Sequence, residues 1–190
     1  MHKLKPVIYV GYDLKDHRGY EVLVHSIKKY NDKYNIVPLM EPTLRRIGLY
    51  RRSYRVFSHD TKQRYDQFDN KPFSTDFTFT RFLVPALNQY QGWALFMDCD
   101  MLAQTRYRRK NWSSFVLYNC SHPSNLALTV DAVNLQSGSW LHSFSWLLDD
   151  EIGSIHQEWN WLDGHSDPNT EAKNVHFTTG GPWFPEWKPS

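Results

Sequence analysis

The sequence predicts an α/β fold in which a mostly parallel central sheet is flanked by helices. Short apolar runs recur along the chain, and each is too short for a helix but suits a strand buried on both faces. Between the first two runs lies a segment with apolar residues at helical spacing, so that the opening reads as a β-α-β unit. The 190 residues contain no internal repeat and no linker, which predicts a single domain spanning 1–190.

The first unit comprises a strand at 6–10, a helix at about 19–30 and a second strand at 35–39. Leu23, Ile27 and Tyr30 recur at positions i, i+4 and i+7 and therefore share one face of the helix. The opening has no Gly-x-Gly-x-x-Gly, so a Rossmann dinucleotide fingerprint is absent from the sequence.

Tyr12 and Asp13 follow the first predicted strand, at the carboxyl end where open α/β sheets bind ligands. A tyrosine ring can stack on a nucleotide base, and a carboxylate can accept hydrogen bonds from a ribose. The alternative, that the two residues only form a turn, stays open at this point.

The connecting segment up to residue 92 has two parts. Residues 41–71 are polar and rich in arginine, which predicts a solvated face or, alternatively, a flap over an anionic ligand. Ser74-Thr75-Asp76 is typical of a helix start, and the apolar stripe that follows predicts a helix to about residue 87, shortened or kinked by Pro85.

The acidic strand is the most informative stretch. Residues 93–97 are apolar and predict a buried strand, and Asp98-Cys99-Asp100 follows at its carboxyl end. Two carboxylates separated by one residue lean the same way on an extended chain and can share one divalent cation. Desolvated carboxylates without such a partner cost several kcal/mol. The alternative is that both acids are solvated loop residues.

The second half continues the alternation of strands and helices. A basic stretch at 106–110 is followed by a predicted strand at 115–118. Helices are predicted from about Thr129 and over 141–148, the latter stopping at Asp149 and Asp150. A short strand at 174–177 precedes a Gly-rich end of the chain.

The composition excludes several classes of function. Twenty-two basic and 20 acidic residues nearly cancel, so the sequence does not indicate a nucleic-acid partner. No run reaches membrane-spanning length and the first residues lack a signal-peptide core, which predicts a soluble, cytoplasmic protein with no transmembrane segment. Aromatic residues make up 16% of the chain, a content that suits a cleft for flat rings or sugar faces.

Taken together, the blocks resemble the GT-A glycosyltransferases, most closely glycosyltransferase family 8 and related bacterial and viral members. The blocks that carry the resemblance are, in order, Ile8-Tyr9-Val10-Gly11-Tyr12-Asp13, Ser74-Thr75-Asp76-Phe77 with Arg81-Phe82-Leu83-Val84-Pro85, Leu95-Phe96-Met97-Asp98-Cys99-Asp100, Asn111-Trp112-Ser113-Ser114, Glu158-Trp159-Asn160-Trp161, and Val175-His176-Phe177-Thr178 with Gly180-Gly181-Pro182-Trp183. They span nearly the whole chain, which makes them more specific than the Asp-x-Asp pair alone.

The resemblance implies a GT-A-like, Rossmann-type sandwich that moves a sugar from a nucleotide-diphosphate donor, a UDP-sugar above all, to an acceptor hydroxyl with retention. It also implies a Mn²⁺ or Mg²⁺ ion on the diphosphate, held by Asp98, Asp100 and His176. The mixture of carboxylate and imidazole suits Mn²⁺ better than Ca²⁺. A saccharide or another hydroxyl compound is the implied acceptor.

The remaining site residues also come from the resemblance. Tyr12 and Asp13 match the nucleoside-holding loop, Arg81 matches an arginine that approaches the donor and acts in catalysis, and Gly180 and Gly181 fall in the donor-binding C-terminal block. Asp149 and Asp150 lie near the catalytic acidic position that faces the sugar, and the sequence does not choose between them.

Two features depart from the family pattern. Gly181 stands where a lysine normally precedes Pro-Trp. The connection from about 102 to 110 is too short for the helix and strand that family members carry there, so a segment is missing between the acidic strand and Asn111.

Two other functions remain as alternatives. The short connection is also compatible with a non-catalytic nucleotide-sugar-binding relative. Asp98 and Asp100 are also compatible with the nucleophile and acid of a haloacid-dehalogenase-like phosphatase. Against the phosphatase, that motif usually lies in the first strand and has Thr or Val where this chain has Leu102.

Overall fold

The computed structural model describes residues 6–30, 33–57, 62–99, 113–177 and 181. In chain order, the strands and helices of this part of the protein are β1 (Val7–Tyr12), α1 (His17–Tyr30), β2 (Asn35–Met40), α2 (Glu41–Arg46), β3 (Tyr54–Val56), β4 (Arg64–Asp66), β5 (Pro72–Phe73), α3 (Val84–Leu87), β6 (Trp93–Met97), β7 (Phe115–Asn119), α4 (Val130–Leu135), α5 (Gly138–His142), β8 (Trp161–Leu162) and β9 (Val175–His176). Short 3₁₀ turns lie at Leu14–Asp16, Thr80–Leu83, Pro123–Ala127, Asp149–Glu151 and Gln157–Asn160.

The central sheet has four strands in the order β2-β1-β6-β7. β1 pairs in parallel with both β2 and β6, whereas β6 and β7 are antiparallel. The α/β class is therefore confirmed, but the sheet is mixed where the sequence predicted a mostly parallel one. Periodicity reports which residues of a strand are buried and carries no information on the direction of its neighbour, so β7 was identified as a strand without its orientation.

The opening β-α-β unit is confirmed, with altered bounds. β1 extends beyond the predicted strand because Gly11 and Tyr12 pair with Leu39 and Met40 of β2. α1 begins at His17, after a 3₁₀ turn that Asp13 caps by accepting a hydrogen bond from the amide of Lys15.

Residues 41–71, predicted as a solvated face or a flap, form α2 and most of a separate antiparallel sheet, β3-β4-β5. Arg46, Arg51 and Arg55 are exposed, in agreement with the solvated-face alternative. Arg52 ties this sheet to the rest of the fold. Its Nε donates to Asp66 Oδ1 at 2.7 Å, and its Nη1 donates to the carbonyls of Val133 and Gln136, beside the end of α4. Arg52 and Asp66 are both 1% exposed, so this arginine is buried within a segment whose charge had indicated solvent.

Two predicted helices are shorter than expected. The segment from Ser74 has a turn at Thr75, a buried 3₁₀ turn at Thr80–Leu83 and then only α3, whose first turn accommodates Pro85 because an N–H is not needed there. The helix predicted over 141–148 ends at His142, since Phe144 has a φ of +52°, a left-handed conformation that stops a helix.

The core lies where α3 and the preceding turn pack on the sheet. Phe96 of β6 and Val10 of β1 are fully buried with Phe82 and Leu83. Gly11 allows Phe77 to lie against β1, because a Cβ on this residue would fall 2.6 Å from the Phe77 ring. In the described part of the protein, we find no helix with the length and hydrophobicity to cross a membrane.

Candidate functional site

Asp98 lies directly after β6, at the carboxyl end of that strand, and is buried against Arg81. The guanidinium contacts both carboxylate oxygens, with Nη1 3.2 Å from Oδ2 and Nη2 3.1 Å from Oδ1. Asp98 is 3% exposed and Arg81 5%. The cost of burying this carboxylate is thus offset by a forked ion pair with an arginine, whereas the sequence argument assigned that role to a divalent cation.

Arg81 is held in place by the backbone around it. Its Nε donates to the carbonyl of Phe77 at 3.1 Å, and its Nη1 donates to the carbonyl of Ser113 at 2.8 Å. The guanidinium also lies over the rings of Phe77 and Phe96, 5.6 Å and 5.0 Å from their centres. With these partners, Arg81 neutralises Asp98 instead of projecting toward a ligand.

A buried histidine is linked to the Arg81–Asp98 ion pair through Ser113. His142 Nδ1 lies 3.0 Å from the hydroxyl of Ser113, the residue whose carbonyl accepts from Arg81. Burial lowers the pKa of His142 to about 3, and the positive charge of Arg81 adds to the effect. His142 is therefore neutral, and it contributes a hydrogen bond with Ser113 and no charge. Sequence reasoning did not identify it, because an isolated histidine in an apolar helix has no motif.

His176, a predicted metal ligand, lies in β9. Its side chain is 0% exposed, and its Nδ1 lies 3.0 Å from Asn160 Oδ1. Since this amide oxygen only accepts, Nδ1 carries the proton and Nε2 keeps a lone pair. Burial lowers the pKa of His176 to about 3, and Nε2 has no hydrogen-bond partner among the described residues.

A neutral histidine with a fixed tautomer and an unshared lone pair on Nε2 can act as a metal ligand. Metal-binding histidines are neutral and usually donate the second ring nitrogen to a nearby oxygen, which fixes the tautomer and the ring orientation. Asn160 supplies that oxygen here. Asn160 was part of the Glu158-Trp159-Asn160-Trp161 block in the sequence, but the block did not reveal which residue supports His176.

Asp98 and His176 line the same cavity, which has a volume of about 790 Å³. Asp100 lies outside the described residues, and within the described ranges no three or more His, Cys, Asp or Glu side chains are grouped as a metal site. The donor set fits a divalent ion in part: His176 offers a free ligand nitrogen, and Asp98 offers a carboxylate that is shared with Arg81.

Tyr12 and Asp13 do not line this cavity. Asp13 is 3% exposed, and its two oxygens accept from the amides of Lys15 at 3.0 Å and Asp76 at 3.2 Å. The Tyr12 hydroxyl lies 3.2 Å from His17 Nδ1. This geometry agrees with the alternative in which Tyr12 and Asp13 form a turn. Asp13 joins the end of β1 to the following turn and to the segment at Asp76.

The other predicted site residues that the structure describes do not line the cavity. Asp149 and Asp150 lie on an exposed 3₁₀ turn and are not among the lining residues. Gly181 is buried, and Gly180 lies outside the described residues. The structure thus pairs Arg81 with Asp98 and places His176 in the same cavity as Asp98. Asp149 and Asp150 are exposed at the surface.

Comparison with known proteins identifies a relative over nearly the whole chain. Protein CDI from Arabidopsis thaliana is 40% identical over 223 aligned residues, which cover 95% of this chain and 80% of the relative. The 223 aligned positions outnumber the 190 residues of this chain by 33, so the relative has at least that many residues in the aligned region without a counterpart here. No protein-family model and no solved structure matches the chain.

Proposed function

This chain belongs to the family of Protein CDI from Arabidopsis thaliana, and we propose that it is a metal-dependent glycosyltransferase of the GT-A type, or descends from one. The donor is a nucleotide-diphosphate sugar, a UDP-sugar above all, and the acceptor is a hydroxyl compound. The outcome expected from the sequence resemblance is retention at the anomeric carbon. The name of the relative states no activity, so the proposal rests on the residues of this chain.

The state of His176 supports this function most strongly. A fully buried imidazole is oriented by Asn160, is neutral, and has an Nε2 without a partner in the described part of the chain. Burying a polar atom without a hydrogen bond costs roughly 1 to 3 kcal/mol, and a bound metal ion would remove this cost. The cavity of His176 also contains Asp98, an acid that the sequence alone indicated as a metal ligand.

A metal ion in this site would be held by His176 Nε2, by Asp98 and by Asp100. When bound, such an ion neutralises the negative charge that develops on a departing diphosphate. The chain itself contributes the positions of these ligands. Asn160 fixes the imidazole, and Arg81 holds the Asp98 carboxylate in place at the end of β6.

The proposal is tested by titration calorimetry of UDP-sugars with and without Mn²⁺. His176→Asn deletes Nε2 while leaving an amide that can reach Asn160, and we expect it to lose Mn²⁺-dependent donor binding. His165→Asn changes an exposed histidine and should bind as the unmodified protein does.

Asp100→Ala gives a second, independent test. It should abolish Mn²⁺-dependent donor binding, whereas Asp131→Ala, at an exposed acid in α4, should bind the donor as the unmodified protein does. Neither substitution should change the circular dichroism spectrum. Donor binding that persists unchanged in both Asp100→Ala and His176→Asn would refute the metal site.

The alternative, a non-catalytic nucleotide-sugar-binding protein, is favoured by one observation. The relative carries at least 33 residues that this chain lacks, and the sequence places a missing segment directly after the acidic strand. Release of UDP from UDP-sugars in the presence of Mn²⁺ separates the two. Turnover supports the transferase, and binding without turnover across a panel of donors supports the binding protein.

A further inference from the structure

The cavity beside Asp98 and His176 has an unusual rim. Seven of the large apolar side chains that border it are more than a third exposed: Val22, Tyr30, Tyr34, Trp93, Leu117, Trp159 and Val175. They come from α1, the turn that precedes β2, β6, β7, β9 and the turn that precedes β8. Apolar side chains scattered singly over a surface are ordinary, but a group gathered around one hollow marks a binding surface.

The wall of the cavity is also apolar. The lining includes Leu23 and Ile27, on the face of α1 that the sequence predicted, together with Leu95 of β6 and Phe115 of β7. The volume of about 790 Å³ falls within the range of small-molecule sites, which are mainly apolar with a few polar groups that orient the ligand. The size and the lining therefore favour a small molecule with an apolar body.

The charges in the lining indicate a neutral ligand. Asp98 is paired with Arg81, and Lys173 is paired with Glu158. Both charges are compensated within the protein, which favours a neutral ligand when no metal ion is bound. His176 is one of the residues that line this cavity, and its Nε2 is a buried acceptor without a hydrogen-bond partner among the described residues. A hydroxyl is the neutral group that can donate to it.

We propose that this cavity binds an amphiphilic alcohol. The apolar body of the ligand packs between α1 and the face of the sheet formed by β6 and β7, and its hydroxyl donates to His176 Nε2 when no metal is bound there. The inference rests on the proposed transferase function, because it names the acceptor class of the same site: a lipid-like hydroxyl compound. The binding itself requires neither donor nor metal.

Farnesol and farnesyl methyl ether are suitable probes, since they share the apolar body and differ in the hydroxyl proton. Binding is measured in EDTA, without nucleotide, by the change in tryptophan fluorescence, because Trp93 and Trp159 border the cavity. We expect saturable binding with one ligand per chain. Farnesol should bind about fivefold more tightly than the ether, as expected for the loss of one hydrogen bond to a buried acceptor.

Matched variants locate the site. Leu117→Asp places a charge on the rim, and Leu126→Asp places one at a comparably exposed position that does not border the cavity. Leu117→Asp should weaken farnesol binding at least about tenfold, whereas Leu126→Asp should leave it unchanged. His176→Asn should remove the difference between farnesol and the ether while retaining the binding of the ether.

Three results would overturn the proposal: no saturable binding of farnesol, equal effects of the two leucine variants, or sedimentation showing a dimer that Leu117→Asp dissociates. The last result would make the rim an interface between two copies of the chain. The two hypotheses also fail separately. UDP-sugar binding without farnesol binding refutes only the apolar alcohol site, and farnesol binding without UDP-sugar binding refutes the acceptor role and the transferase.

Discussion

Lowering the pH should destabilise this protein through His142. Burial, helped by the charge of Arg81, lowers the pKa of His142 from an ordinary value of about 6.5 to about 3 in the folded state. Between these two pKa values, the imidazole of His142 is protonated in the unfolded chain and neutral in the folded protein. The free energy of unfolding is at its full value above about pH 6.5 and falls by up to 1.4 kcal/mol per pH unit, for this residue, as the pH drops toward about 3.

The loss can be calculated at a convenient pH. At about pH 5, nearly all of the unfolded chains carry a proton on this imidazole and almost none of the folded ones do. The difference amounts to about 2 kcal/mol relative to about pH 8. His176, whose pKa burial also lowers to about 3, contributes a similar loss.

Urea unfolding at a series of pH values between about 8 and 5 measures this effect. His142→Gln removes the titrating group and should lose about 2 kcal/mol less than the unmodified protein over this interval, whatever its stability at about pH 8. His165→Gln, at an exposed histidine, should retain the full pH dependence. If His142→Gln loses as much stability between the two pH values as the unmodified protein, the argument from burial is wrong.

Two further pairs of substitutions, each with a matched control, test the fold. Gly11→Ala should cost roughly 1 to 3 kcal/mol, because the new methyl group would lie 2.6 Å from the ring of Phe77, whereas Gly153→Ala meets no atom within 4 Å and should be nearly neutral in urea unfolding. Arg52→Met should cost roughly 3 to 5 kcal/mol by leaving a buried carboxylate unpaired, and Arg51→Met, at an exposed ion pair, about 1 kcal/mol or less. Similar losses for the two members of either pair would contradict the corresponding argument.

Local patterns in the sequence predicted the framework of the site. The β-α-β unit and the strand carrying Asp98 were found from apolar runs and spacing, because burial of one strand or one helical face leaves a direct periodic trace. Thr129 was correctly identified near the start of a helix, and its side chain caps α4 by accepting from the amide of Ala132. Such signals are readable because the interacting groups lie within four residues of one another.

Charge and motif were poorer guides where the partners are distant in sequence. The segment around Arg52 is charged and was expected in solvent, yet Asp66 and carbonyls near the end of α4 satisfy its guanidinium inside the protein. Asp13 was predicted to bind a ribose, which stays a prediction, and the amide of Asp76 donates to one of its oxygens. The predicted catalytic role of Asp149 and Asp150 also stays a prediction, and both residues are exposed on a turn. The partners of Arg52 and Asp13 lie far away in the sequence, so local spacing does not identify them.

The sequence by itself determined the α/β class, the acid at the carboxyl end of a buried strand and the apolar face of α1, since each follows from the order of residues over a few turns or one strand. Only the tertiary structure decided what these groups do. It paired Asp98 with Arg81, oriented His176 through Asn160 and gathered apolar residues from α1, β6 and β7 around one cavity. The physical reason is that desolvation and ion pairing depend on distances between residues far apart in the chain.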